Sequence, residues 1–350
     1  MASERNRLLE LDVLRGCAAA AVALFHYTVR YQQLYGFRIA PDVTLPHGAL
    51  GVEFFFCISG FVIFMTLERT RRPMDFVVSR FSRLWPAYIA AMVLTFTAVH
   101  LIGLPGRSTT FVQALINLTM FQEMLHVPDV DVVYWSLQVE LIFYCWMFTA
   151  YCTGMLAHMR VVLCLALLPP LAYFAAQHYF HHELSYLAGQ LLLVRYAPYF
   201  VIGISAYNLY IRRPHAQLDL ALMAAAVLVI YICMSTPEAA IALFACLVFC
   251  ALALGRLHWI ARGPFIFLGS ISYTFYLVHQ NIGYIVIRAA SERGVPPDLA
   301  IALALVVTVL LATLLTRTVE RPARSWIREV YGRYLKSAAG RGAGAVATAE

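Results

Sequence analysis

Charged residues are scarce in this sequence. Asp, Glu, Lys and Arg make up 13% of the 350 residues, against 61% hydrophobic; an ordinary soluble domain carries about 25% charged residues. With a mean hydropathy of +0.72, this excludes a soluble globular chain and points to an integral membrane protein. No length is left for a separate soluble domain, so function has to sit inside the membrane body. Metal-type cysteine spacing is missing too. Cys17, Cys57, Cys145, Cys152, Cys164, Cys233, Cys246 and Cys250 lie in or beside apolar runs with no CxxC pair, and read as buried free thiols. There is no GxSxG elbow and no P-loop, which weighs against a serine hydrolase and an ATP-driven machine. Arg5 and Arg7 precede the first apolar run, but no small-residue cleavage site follows it, so the run reads as a retained anchor. The net charge of +7 invites an acidic partner. Most arginines, however, cluster beside helix ends, where membrane topology accounts for them, and nucleic acid is not expected.

What is there is a series of about ten apolar segments of membrane-spanning length. They cover 11–31, 49–67, 84–104, 134–155, 161–177, 191–210, 218–234, 239–254, 265–287 and 299–315. The expected fold is all-α, a polytopic bundle. The links "ERTRRPMDFVVSRFSR", "IRRPH" and "GRLHWIARG" and the C-terminal "RTVERPARSWIREVYGRYLK" are rich in arginine and belong on the cytoplasmic side, with both termini. Counting crossings from either end then agrees only if the short polar patch 111–125 does not cross, which makes it a re-entrant or interfacial segment. From Ser337 the Gly/Ala-rich tail has no apolar face to bury and reads as disordered.

An ionisable residue inside a bilayer calls for a function, because insertion of one at a helix centre costs about 2.5–3.5 kcal/mol. In "LDVLRGCAAAAVALFHY", Arg15 and His26 are eleven residues apart, close to three turns. They therefore share one face, separated by roughly 16 Å of rise. Asp12 can pair with Arg15 or simply anchor the helix end. Glu53 opens the second span, in which Ser59 and Gly60 permit close approach of a ligand or of another helix. Glu140 lies about one and a half turns into its helix, and His279 sits in the outer half of a late one. His26, Glu53, Glu140 and His279 are thus expected at one depth. A histidine beside a carboxylate in a low dielectric suits proton abstraction from a hydroxyl. Arg15, in the other leaflet, suits an anion such as phosphate. Arg195 either lines the same cavity or anchors the interface, and His47 reads as a solvated loop residue. His181, His182 and Glu183 lack a further ligand at helical spacing, so no metal is expected.

In order along the chain, these residues resemble the membrane acyltransferase-3 family. The resemblance rests on the Arg15-x10-His26 helix, "GVEFFFCISGFVI", "RFSRLWPAY" with Arg80 and Arg83, "YWSLQVELIFY" with Trp135, Ser136 and Glu140, "ISYTFYLVHQ", and "VERPAR". It implies transfer of an acyl group, most often acetyl, from cytoplasmic acyl-CoA to a hydroxyl of a carbohydrate or lipid-linked glycan. It also implies an inner-membrane location, a family domain over 8–330 and a tail over 331–350. His26, Glu140 and His279 are the expected catalytic residues, with Glu140 orienting His26 as a general base or acyl carrier. Arg15, Arg80, Arg83, Ser59 and Gly60 are expected at the acyl-CoA end, and Glu53, Trp135, Ser136 and Arg195 at the acceptor end, with no tightly bound cofactor. The competing class is a proton-coupled transporter, because buried His and Glu residues also build proton relays.

Overall fold

The computed structural model describes residues 8–181 and 185–347, with side chains as far as Ser337; Arg5, Arg7, His182 and Glu183 lie outside the described residues. Its elements are α1 (Leu9–Phe25), α2 (Tyr31–Leu34), α3 (Gly51–Glu68), α4 (Pro73–Ile102), α5 (Phe111–Asn117), α6 (Trp135–Cys152), α7 (Met159–Ala166) and α8 (Leu168–Phe180). They continue with α9 (Tyr186–Leu191), α10 (Ala197–Tyr210), α11 (Ala216–Cys233), α12 (Thr236–Ala253), α13 (Gly263–Glu292), α14 (Pro297–Leu315) and α15 (Arg321–Ala347). There is no strand among the described residues. Helices satisfy every backbone polar group internally, as a bilayer demands. Seven helices among the described residues are long and apolar enough to cross, which makes this an all-α, multi-pass bundle.

The other expected spans are helical as well, but in a different way. The 14-residue α10 is buried along most of its length. The remaining two, α1 with α2 and α13, spend their polar residues on the interior. The expected span 161–177 is divided between α7 and α8, where Pro169 and Pro170 open a new helix. The patch at 111–125 contributes only the seven residues of α5 and a 3₁₀ turn, Glu123–Leu125. At about 1.5 Å per residue, α5 is far short of the roughly 30 Å hydrocarbon core. Protein groups hold its backbone, with Tyr88 Oη donating to Asn117 O (2.8 Å) and Trp85 Nε1 to Leu118 O (3.2 Å), while its buried Asn117 side chain accepts from Val130 N through Oδ1 (3.0 Å). The backbone of α15 stays helical to Ala347, past the point where composition suggested disorder.

Two close approaches set the interior. A Cβ on Gly16 would fall 2.7 Å from Gly269 N, so α1 and α13 run side by side, in the same direction, at van der Waals distance. A Cβ on Gly60 would fall 2.5 Å from Phe200 O, which seats α10 against α3. Of the eight cysteines, all free, only Cys57 and Cys246 are buried; Cys17, Cys145, Cys152 and Cys164 lie on the outer surface of the bundle instead of in its core.

Candidate functional site

The chain widens at the end of α1 into a π-helical turn, His26–Arg30, a form of helix that recurs at functional positions. Here the adjacent residues His26 and Tyr27 both reach α13. Tyr27 Oη donates to His279 O (2.7 Å), pinning the backbone of α13. His26 Nδ1 lies 2.9 Å from His279 Nε2, and His279 Nδ1 lies 2.7 Å from Tyr276 O. A carbonyl oxygen only accepts, so His279 Nδ1 carries the proton. In a neutral ring its Nε2 is then the acceptor, and His26 Nδ1 must donate to it. That leaves Nε2 of His26 as a lone-pair nitrogen, the form a general base requires. His279 is fully buried and His26 partly exposed.

One helical turn away from His279, the Tyr276 side chain lines a cavity of about 70 Å³ shared with Arg15, Ser59, Ser136, Glu140 and Tyr273. Ser136 Oγ meets Tyr276 Oη at 2.8 Å. Glu140 Oε1 accepts from Ser59 Oγ (2.5 Å) and from Tyr144 Oη (2.6 Å). At the far end, Arg15 has Arg83, Asp12 and Glu140 within electrostatic reach. Beyond it lies a group of arginines. Arg80 is buried, with its guanidinium 6.0 Å from the ring centres of Phe76 and Tyr144 and its Nε unpartnered. Arg324 has Arg328, Arg83 and Arg80 for neighbours, with Glu320 opposing them, and Arg328 Nη2 donates to Ser79 Oγ (3.4 Å). Desolvating a guanidinium beside other guanidinia is unfavourable unless an anion completes the group. The arrangement is therefore a line: a cationic mouth, a narrow polar cavity, and a tautomer-fixed histidine pair.

The structure separates residues expected to share one depth. His26 and His279 meet, whereas the hydrogen bonds of Glu140 go to Ser59 and Tyr144. Ser136 already sits level with Tyr276, so Glu140, four residues further along α6, lies a turn nearer Arg15 than to the histidines. Counting rise along a helix gives spacing, not where the helix begins. Glu53 is buried in the first turn of α3 with Oε2 unpartnered, and its charged neighbours are Glu238 and Arg195. Those two form their own ion pair (2.6 Å). Trp135 packs on Tyr196 and Phe56 beside the cavity. Gly60 faces the Phe200 backbone, so helix packing accounts for it. The sequence reading carried Tyr276 only within "ISYTFYLVHQ" and gave it no role; its backbone carbonyl accepts from His279 Nδ1 and its side chain lines the cavity. It also missed Tyr27, Arg324 and Arg328.

A family model described as an acyltransferase domain, of the acyltransferase-3 type, matches residues 8–317. "Protein 2 in picA locus" of Rhizobium radiobacter is 32% identical over 111 residues, covering 29% of this chain and 53% of that protein. This chain thus spans about half the length of that curated relative. No solved structure matches.

Proposed function

The chain belongs to the membrane acyltransferase-3 family, and from that premise we propose that it moves a short acyl group, acetyl first, from acyl-CoA to a hydroxyl of a carbohydrate or lipid-linked glycan. The observation that carries this reading is the chain His26 Nδ1–His279 Nε2 and His279 Nδ1–Tyr276 O, which leaves a base nitrogen on His26 and ends on Tyr276, a residue that lines a cavity shared with Arg15. Arg80, Arg83, Arg324 and Arg328 hold the CoA phosphates by charge-assisted hydrogen bonds. The thioester lies past Arg15 toward Tyr276. The acceptor oxygen attacks the thioester carbonyl while its proton passes to Nε2 of His26. The C–S bond then breaks, and that proton goes on to the CoA sulfur. His279 stabilises the imidazolium of His26, because its Nε2 still accepts from Nδ1–H. Glu140 holds Ser59 and Tyr144 in place along the arm and offsets the charge of Arg15.

The arginine-rich links support a CoA mouth on the cytoplasmic side of an inner membrane, with both described ends of the chain on that side. The acceptor then reaches His26 from the opposite face. The test is transfer of label from [¹⁴C]acetyl-CoA to surface glycans in membranes with and without the protein. Label on glycan only when the protein is present supports the reading; glycan flux without CoA turnover overturns it in favour of a transporter. Incubation without acceptor separates two routes: labelled protein marks an acyl-histidine, and unlabelled protein marks direct transfer.

A further inference from the structure

Behind the cavity lies a second, larger space. An apolar pocket of about 310 Å³ opens between α6, α7, α8 and α10, against about 70 Å³ for the cavity itself. Trp146 and Leu165 at its rim are 54% and 53% exposed, so it faces the bilayer side of the bundle. What stands between the two spaces is aromatic. Phe56 lines the cavity, and its ring centre lies 5.3 Å from that of Phe200. Phe200 in turn stacks on Phe143 at 3.8 Å and 8°, and both of these line the larger pocket. All three are buried. The partition cannot retreat as a backbone shift, because the Gly60 contact clamps the Phe200 backbone against α3.

We infer that Phe143 and Phe200 limit the length of the acyl group, closing the cavity to chains that would otherwise extend into the lateral apolar pocket. This rests on the acyl-transfer reading above and adds a specificity determinant to it. A thioester entering past Arg15 brings its acyl carbons against the Phe56 wall. An acetyl methyl ends there. A longer chain gains by burial, about fourfold in binding per methylene at ~0.8 kcal/mol each, only if it has apolar space to enter, and that space lies behind the stacked rings. Removing the ring of Phe143 or Phe200 thins the stack behind Phe56 and gives that ring apolar space to move into, without touching the histidines, Arg15 or Glu140.

The test compares CoA release from acetyl-CoA and octanoyl-CoA by the full chain in membrane vesicles, after subtraction of vesicles lacking it. The wild-type protein is expected to favour acetyl-CoA at least tenfold in kcat/KM. Phe143→Ala is expected to move the octanoyl-to-acetyl ratio at least tenfold toward octanoyl, and Phe200→Ala to move it in the same direction. If Phe143→Ala does not accumulate, Phe143→Val carries the test with a smaller shift of the same sign. A ratio unchanged in the variants, or a wild-type protein that already prefers octanoyl-CoA, overturns this inference and leaves acyl transfer standing. Absence of turnover with any acyl-CoA overturns both.

Discussion

α13 and α14 pack side by side over much of their length, yet they are built on opposite plans. α14 shows the bilayer a row of large apolar side chains, Leu299, Leu303, Val306, Leu310 and Leu314, all exposed. It turns small residues inward: Ala300, Ala304, Thr308 and Ala312 are buried against its neighbours. α13 buries Ser272, Thr274, His279, Gln280 and Asn281. It is too polar to count among the helices apolar enough to cross, although its 30 residues are ample for the purpose. In lipid the usual rule is inverted, since apolar side chains mark the surface and polar ones the interior. The helix that reads worst as a membrane span is therefore the one that brings His279 to His26.

That contrast can be broken at its polar end first. His26→Ala removes the base nitrogen and is expected to lower acyl transfer about 10²–10⁴-fold, the usual contribution of a positioned general base, measured as initial rate of label transfer. Gly269→Val comes next. Its added carbons would press on the Asp12 carbonyl, and overpacking of this kind typically costs about 1–3 kcal/mol. A lowered thermal midpoint in detergent, with a fall in activity, checks it. Arg324→Ala is expected to raise KM for acyl-CoA about tenfold with little change in kcat, because a charged hydrogen bond is worth about 1.5–3 kcal/mol. Steady-state kinetics against acyl-CoA concentration separates the two. At the lipid-facing end, Leu310→Ala is expected to leave rate and KM within about twofold, since the side chain meets bilayer in either form; the same assay reads it.

Much of the bundle was legible without coordinates. The eleven-residue step from Arg15 to His26 is a property of the helix itself, and the exclusion of α5 from crossing follows from where arginines fall. Two residues have surroundings that differ from those expected, for one reason. Which way Glu140 and Gly60 face is decided by where neighbouring helices start and how they cross, and neither is written in local spacing. Glu140 sits as far into α6 as expected, but Ser136 near the start of that helix is already level with Tyr276, so Glu140 lies a turn beyond it toward Arg15. Arg324 and Arg328 look like ordinary positive-side residues in the sequence. Only the return of α15 onto α4 brings them to Arg80 and Arg83. The partner of His26 was expected to be a carboxylate, Glu140. A second histidine, His279, fixed by a backbone carbonyl, meets His26 instead.

The central claim is that His279, not Glu140, holds His26 in its reactive form. The kcat of His279→Gln for acyl transfer, with Glu140→Gln as its comparison, tests this most directly. The account predicts a fall of at least a hundredfold in kcat for His279→Gln with KM for acyl-CoA unchanged, and a markedly smaller fall for Glu140→Gln. Undiminished kcat in His279→Gln, with the loss appearing in Glu140→Gln instead, would contradict it.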